Sequence, residues 1–222
     1  MILSLDTAGE FGSLALYAEG AVLEEIPLYA PDGFSGILFP QIEALLARHR
    51  ASYPDIRCFA AVSGPGAFTG LRVGLAAAKG LAEATGAPVV ALSRLRVLAS
   101  FGTHPLRAPL LDARRGQIYG ALYDGDGDLV TPETVEVFST WLETLPAANV
   151  EFLAHDFTPF AAALEATSFA NSPVTLVPRS LAGALATLAA AELTLGRAQD
   201  PASIDANYVR RSDAEQMWTG QV

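Results

Sequence analysis

The stretch Ile2-Leu3-Ser4-Leu5-Asp6-Thr7-Ala8-Gly9-Glu10 (residues 2–10) decides how the rest of the chain is read. A short apolar run ends on an acid and passes directly into a turn. Gly12 to Tyr17 reads as a second strand, and the Glu19-Gly20 turn leads to a third from Val22 to Leu28. Three strands joined by tight turns predict an antiparallel meander. A helix is expected over Phe34 to Arg48, because Leu38, Ile42, Leu45 and Leu46 recur at helical spacing; Pro40 moves its regular part to about Phe39. A buried strand, Cys58 to Val62, then enters a glycine-rich turn, Ser63 to Gly70. A helix to Ala84 follows, stopped by Gly86. Val89 to Leu92 is a further short strand, and Ser93 caps a helix to about Phe101.

Shifting the chain by 106 residues brings Leu5-Asp6 onto Leu111-Asp112, Ala15-Leu16-Tyr17 onto Ala121-Leu122-Tyr123, and Leu23 onto Leu129. In the second copy the strands Ile118 to Tyr123 and Leu129 to Val135 flank the turn Asp124 to Asp128. Helices near Ser139 to Leu145 and Pro159 to Ala166, strands at Val150 to Ala154 and Val174 to Val177, and an alanine-rich helix from Ser180 to Leu195 follow. Two copies of a meander followed by helices predict an α/β chain of the actin-like (ribonuclease H-like) ATPase fold, each lobe built on a mixed sheet. The expected division is residues 1–104 and 105–222, with Gly102 to Pro105 as the linker and the last helix and tail able to return to the N-terminal lobe.

Composition narrows the function. Half the residues are apolar and 17% are charged, so the chain has the material for a large core. Net charge is -10, and Lys79 is the only lysine beside thirteen arginines. Proteins that hold RNA alone neutralise phosphates with a basic face. Here Arg94/Arg96, Arg114/Arg115 and Arg210/Arg211 are scattered and read as solvated or ion-paired, so independent RNA binding is not expected. One cysteine, Cys58, excludes a disulfide framework and reads as a core residue. No leader and no membrane-length apolar run is seen, so a cytoplasmic protein is expected.

Candidate sites are few. Asp6 and Thr7 would stand beside phosphate in an actin-like ATPase, with the acid holding a metal through water. The alternative is that Asp6 caps its own turn. Asp112, the matching acid, is followed by Ala113-Arg114-Arg115-Gly116, where an active phosphate loop would carry an early glycine. Gly64-Pro65-Gly66-Ala67-Phe68-Thr69-Gly70-Leu71-Arg72 lacks the Gly-Lys-Ser/Thr of a P-loop; we favour tight packing over anion binding for it. Gly70, Gly74 and Ala78 form one small-residue stripe, and Ala76, Gly80 and Ala84 another. Two stripes leave one for a partner helix. The candidate partner surface is Leu38, Ile42, Leu45, Leu46, Gly70, Arg72, Gly74, Leu75, Ala78 and Leu81. His49, His104 and His155 lie far apart, with no metal-ligand spacing, so no metal and no cofactor is expected. Asp205 and Asp213 are expected to face solvent.

These residues carry a resemblance. Ile2 to Ala8, Gly64 to Gly74, Leu111 to Tyr119 and Tyr208-Val209-Arg210 closely resemble the TsaB (earlier YeaZ) family; Gly64, Pro65, Gly66, Phe68, Thr69, Gly70, Leu71 and Arg72 are the specific motif. The resemblance implies a non-catalytic, actin-like scaffold. It would pair through its first two helices with the catalytic relative TsaD, joined by the small ATPase TsaE, or form homodimers in isolation. That assembly moves threonylcarbamoyl from threonylcarbamoyl-adenylate to N6 of adenosine 37 in ANN-decoding tRNAs. Many members carry His-Ser or His-Thr before the first helix, where this chain has Phe34-Ser35. The competing reading is an actin-like ATPase or small-molecule kinase using Asp6 and Asp112. An older one, a glycoprotease, conflicts with the missing zinc spacing.

Overall fold

A computed structural model describes residues 1–146 and 149–210. The chain forms two compact units, one of Met1–Arg94 with Arg179–Asn207, the other of Leu95–Pro178 with residues 208–210.

The first unit is built on β1 (Ile2–Asp6), β2 (Phe11–Ala18), β3 (Ala21–Tyr29), β4 (Cys58–Gly64) and β5 (Val89–Ser93), in the order β3-β2-β1-β4-β5. The first three are antiparallel neighbours; β4 and β5 run parallel to β1. Side chains alternate across a strand. Leu3, Leu5, Leu14, Leu16 and Phe59 therefore pack against α1 (Leu38–Arg48) and α2 (Phe68–Thr85). Ser4 and Ser13 point the other way, to α6 (Ala182–Thr194). Covering both faces explains why β1 and β4 are buried along their whole length. The buried start of α6 needs acceptors for its unpaired amides. Ser13 Oγ accepts from Leu181 and Ala182 at 3.0 and 2.9 Å, and Glu25 Oε1 from Gly183 at 3.0 Å. Pro40 sits in the first turn of α1, where its missing N–H costs nothing. Gly86, at φ 70°, ends α2 in the left-handed conformation.

After α3 (Arg94–Ala99), the second unit repeats the plan. Its strands are β6 (Leu106–Asp112), β7 (Gln117–Asp124), β8 (Leu129–Val137), β9 (Val150–Ala154) and β10 (Val174–Leu176), in the order β10-β9-β6-β7-β8. Two short helices, α4 (Phe138–Thr144) and α5 (Ala161–Glu165), complete it. Phe138, Trp141, Phe152, Phe157, Phe160 and Phe169 form its core, with ring centroids 5.0–6.5 Å apart. The α/β, duplicated actin-like plan read from the sequence is the one observed.

The repeat differs in one detail. Leu5 pairs with Leu14 in the first unit, and Leu110 with Gly120 in the second; these pairs face the respective cores. The structural offset is thus 105 for the first strand (5 to 110) and 106 for the second (14 to 120). Asp6 corresponds to Leu111, and Asp112 stands one residue further on, at the place of Thr7. Aligning the acids obscured a one-residue change in hairpin register.

Buried Glu151 pins the segment before β6. Its Oε2 accepts the amides of Thr103 and His104 at 2.7 and 3.0 Å, and Oε1 accepts from Thr175 Oγ1 at 2.6 Å. Burial alone would push its pKa up, but the bonds from Thr175, His104 and Thr103 outweigh this and hold it below the ordinary glutamate value. A depressed folded pKa stabilises above the unfolded value and ceases to do so as pH falls through the folded one. Glu151→Gln should therefore cost about 1–3 kcal/mol at neutral pH. The gap to wild type in urea midpoint should shrink steadily below the usual glutamate range.

Candidate functional site

The Asp6-Thr7-Ala8 turn at the end of β1 meets the start of α2. Asp6 is fully buried. Its Oδ1 accepts the Ala8 N–H at 2.9 Å, and its Oδ2 accepts from Arg94 Nε at 3.1 Å. Arg94 is itself 7% exposed, so the pair is an interior one. Thr7 Oγ1 donates to the Gly70 carbonyl at 2.7 Å, and the Ala67 N–H donates to the Ala8 carbonyl at 2.7 Å. A Cβ at Gly66 would run into the Ala8 carbonyl, one at Gly70 into the Thr7 carbonyl, and one at Gly74 into Thr7 Oγ1. The glycines are there because a helix backbone lies on a two-residue turn. Of the two readings left open for Asp6, the observed bonds are those of an acid that caps its own turn and neutralises a buried arginine. Asp112 behaves differently: it is exposed, and its Oδ1 accepts the Arg114 N–H at 2.7 Å.

The motif divides by face. Gly64, Gly70 and Leu71 point inward; Phe68, Thr69 and Arg72 are exposed, with the Arg72 guanidinium 3.8 Å from the Phe68 ring centre. Gly64 is at φ 122° and Gly64-Pro65 is cis; a Cβ at Gly64 would lie 2.7 Å from the Asn207 carbonyl.

The residues expected to meet a partner are placed mostly elsewhere. Leu38, Ile42, Leu45, Leu46, Gly70, Gly74, Leu75 and Ala78 are buried within the first unit, Leu81 is half-buried and Arg72 is exposed. The apolar face of the sheet claims them, because Leu3, Leu5, Leu14, Leu16 and Phe59 must be covered. The outward face of α1 is instead Phe39, Pro40, Glu43, Ala44 and Ala47; that of α2 is Arg72, Ala76, Gly80, Glu83 and Ala84. The second small stripe is thus the accessible one.

Other side chains are accounted for locally. Burial pushes the Cys58 thiol up to about 11, so it is an unreactive core residue. His49 meets Glu24 at 2.8 Å, His104 lies 3.3 Å from Glu151, and His155 Nδ1 is 3.1 Å from the Val177 carbonyl. Among the described residues no three His, Cys, Asp or Glu side chains gather in a way that could hold a metal ion. No helix there is long and apolar enough to cross a membrane. Asp205 is exposed, whereas Arg211 and Asp213 lie outside the described residues. Arg94 was missed as the partner of Asp6; the available signal was that an acid closing a buried strand needs a cation nearby.

The family model for TsaD, tRNA N6-adenosine threonylcarbamoyltransferase, matches residues 25–198. The tRNA threonylcarbamoyladenosine biosynthesis protein TsaB of Bacillus subtilis is 35% identical over 162 residues, 70% of this chain and 71% of that one. The chain belongs to the TsaB family. YeaZ from Pseudomonas aeruginosa superposes with a TM-score of 0.79 at 25% identity, covering 93% of this chain and 98% of that one. Component A of (R)-2-hydroxyglutaryl-CoA dehydratase from Acidaminococcus fermentans shares the fold alone, with a TM-score of 0.53 at 10% identity over 86% of this chain and 98% of that one. In this TsaB-family chain Phe34, standing where the resemblance leads one to expect histidine, is buried; its ring packs on Gly12, where a Cβ would lie 2.8 Å from it. The position serves packing here.

Asp6→Ala should cost about 3–5 kcal/mol, because it strands the buried Arg94 charge. Adding Arg94→Met should recover much of that loss in urea denaturation. Gly74→Ala should destabilise by about 1–3 kcal/mol through overpacking against Thr7.

Proposed function

We propose that this chain is the non-catalytic scaffold and activating subunit of a cytosolic assembly that makes threonylcarbamoyladenosine in tRNA. It pairs the outward faces of α1 and α2 with a catalytic relative of the TsaD type. The observation that carries this reading is the division of labour in one segment. Inward, Gly66, Gly70 and Gly74 bind the helix to the Asp6-Thr7-Ala8 turn, whose acid is already neutralised by Arg94. Outward, Ala76, Gly80 and Ala84 present a smooth exposed stripe on α2, and Ala44 and Ala47 are exposed on α1. Small residues allow two helices to approach closely, so such a surface suits helix-to-helix docking. The same surface would support homodimers when the relative is absent. A small ATPase of the TsaE type would join the pair, and tRNA would be met through the assembly.

Co-purification with the catalytic relative, followed by tRNA modification with and without this chain, tests the proposal. Ala76→Arg and Gly80→Arg are suited to it, because both positions are exposed and nothing lies within 4 Å of a Cβ at Gly80. Each should leave the melting of the monomer unchanged and weaken pairing at least about a hundredfold, as expected for a charge buried in the centre of an interface. Intact pairing in both variants would refute the assignment of the surface. Calorimetry with ATP and magnesium addresses the rival enzyme: tight binding to the isolated chain, lost in the exposed-site variant Asp112→Asn, would favour a kinase or ATPase.

A further inference from the structure

The turn between β6 and β7 holds three consecutive residues in the left-handed region: Arg114 at φ 66°, Arg115 at φ 57° and Gly116 at φ 74°. Glycine accepts that conformation readily, whereas a side chain there is crowded against its own backbone. A turn that only reversed the chain would use glycine or asparagine at such positions. Two arginines stand there instead, and both are exposed. Nothing lies within 4 Å of where a Cβ would sit on Gly116, so there is room beside the turn.

The turn is braced from several directions. Asp112 Oδ1 accepts the Arg114 N–H at 2.7 Å, the Ala113 N–H donates to the Gln117 carbonyl at 2.9 Å, and the Gln117 N–H to the Arg114 carbonyl at 3.1 Å. Arg210, arriving from the tail, donates Nη1 to the Ala113 carbonyl at 2.7 Å and Nη2 to Gln117 Oε1 at 2.6 Å. Its guanidinium lies 5.6 Å from the Tyr119 ring centre. The turn thus carries Arg114 and Arg115 and is held by Arg210, in a chain whose net charge is -10.

We propose that this braced turn is a phosphate-binding site for RNA. Arg114 and Arg115 take one or two backbone phosphates of the tRNA once the chain is part of its assembly. Arg210 is the positioning residue that keeps the turn in its strained shape. The inference rests on the tRNA-modification reading above. Guanidinium forks match phosphate oxygens in geometry and charge. Against so acidic a background the site does not capture RNA from a distance; it fixes the register of an RNA already held by the assembly.

The double variant Arg114→Gly/Arg115→Gly removes both guanidiniums and relaxes the backbone, so a folding defect is not expected; thermal melting checks this. The assembly with the catalytic relative is then titrated with tRNA across a salt series. Pairing should be unchanged, tRNA affinity about tenfold weaker, and the salt slope smaller by about 1–2. Arg210→Met should weaken tRNA binding in the wild-type background and add nothing in the double-glycine background, which a merely structural residue would not do. Unchanged affinity and slope overturn the proposal. So does weakened pairing with tRNA affinity intact, which would give the turn to an acidic protein face. A loss of ATP or pyrophosphate binding with tRNA unaffected also overturns it, because the phosphate would then be a nucleotide's. If the wild-type chain fails to pair with the relative at all, the scaffold reading falls and this inference falls with it; if pairing holds and the slope does not move, this inference falls alone.

Discussion

The first unit depends on one close approach. Gly66 in the loop before α2, and Gly70 and Gly74 within it, let the backbone rest on the Thr7-Ala8 turn, and any side chain larger than hydrogen at those positions would have to displace main chain or the Thr7 hydroxyl. The contact buries Asp6, and a buried carboxylate must be paired. Arg94 answers that requirement from the far end of β5. With the turn and the acid committed in this way, the orientation of α2 follows: Leu75, Ala77, Ala78 and Ala82 are directed at the sheet, and Ala76, Gly80 and Ala84 at solvent.

That orientation links packing to the proposed docking. A helix with a small-residue face on each side can touch its own sheet and a second helix at once. The side facing inward is settled by the apolar residues of β1, β2 and β4. The side facing outward carries no large apolar residue between Arg72 and Ala84 except the half-buried Val73 and Leu81, so the isolated unit exposes little hydrophobic surface there. Docking by small residues is compatible with that, because its gain comes from close fit and the exclusion of water over a wide area.

Much of this was legible in the residues themselves. The meander, the duplicated plan and the glycine-rich entry into α2 follow from alternation, turn chemistry and helical period, and the strand boundaries differ from the expected ones by a residue or two, except that the first strand of the second unit, legible only near Leu111-Asp112, starts at Leu106. Which face of α1 and α2 turns outward was harder. Leu45 and Ala78 lie on apolar or small stripes that suit a partner and a core equally well, and only the position of the sheet decides between them. The pairing of Asp6 with Arg94 joins residues 88 positions apart, a distance no local pattern reports. The alignment of Asp6 with Asp112 was misleading for a related reason: identical residues matched in sequence, while hydrogen-bond register placed Leu111 opposite the role of Asp6. The left-handed conformation of Arg114 and Arg115 could not be foreseen either, since their sequence signal was only that two arginines precede a glycine.

The Asp6-Thr7-Ala8 turn is a structural joint, and the proposed docking surface lies on the outward faces of α1 and α2. Replacing the buried ion pair by the neutral pair Asp6→Asn/Arg94→Met separates the two roles. Modification of tRNA by the catalytic relative should be supported fully by this double variant, provided its melting shows that the fold is kept. A folded double variant that pairs with the relative yet no longer supports modification would mean that Asp6 takes part in the chemistry, and would contradict the account.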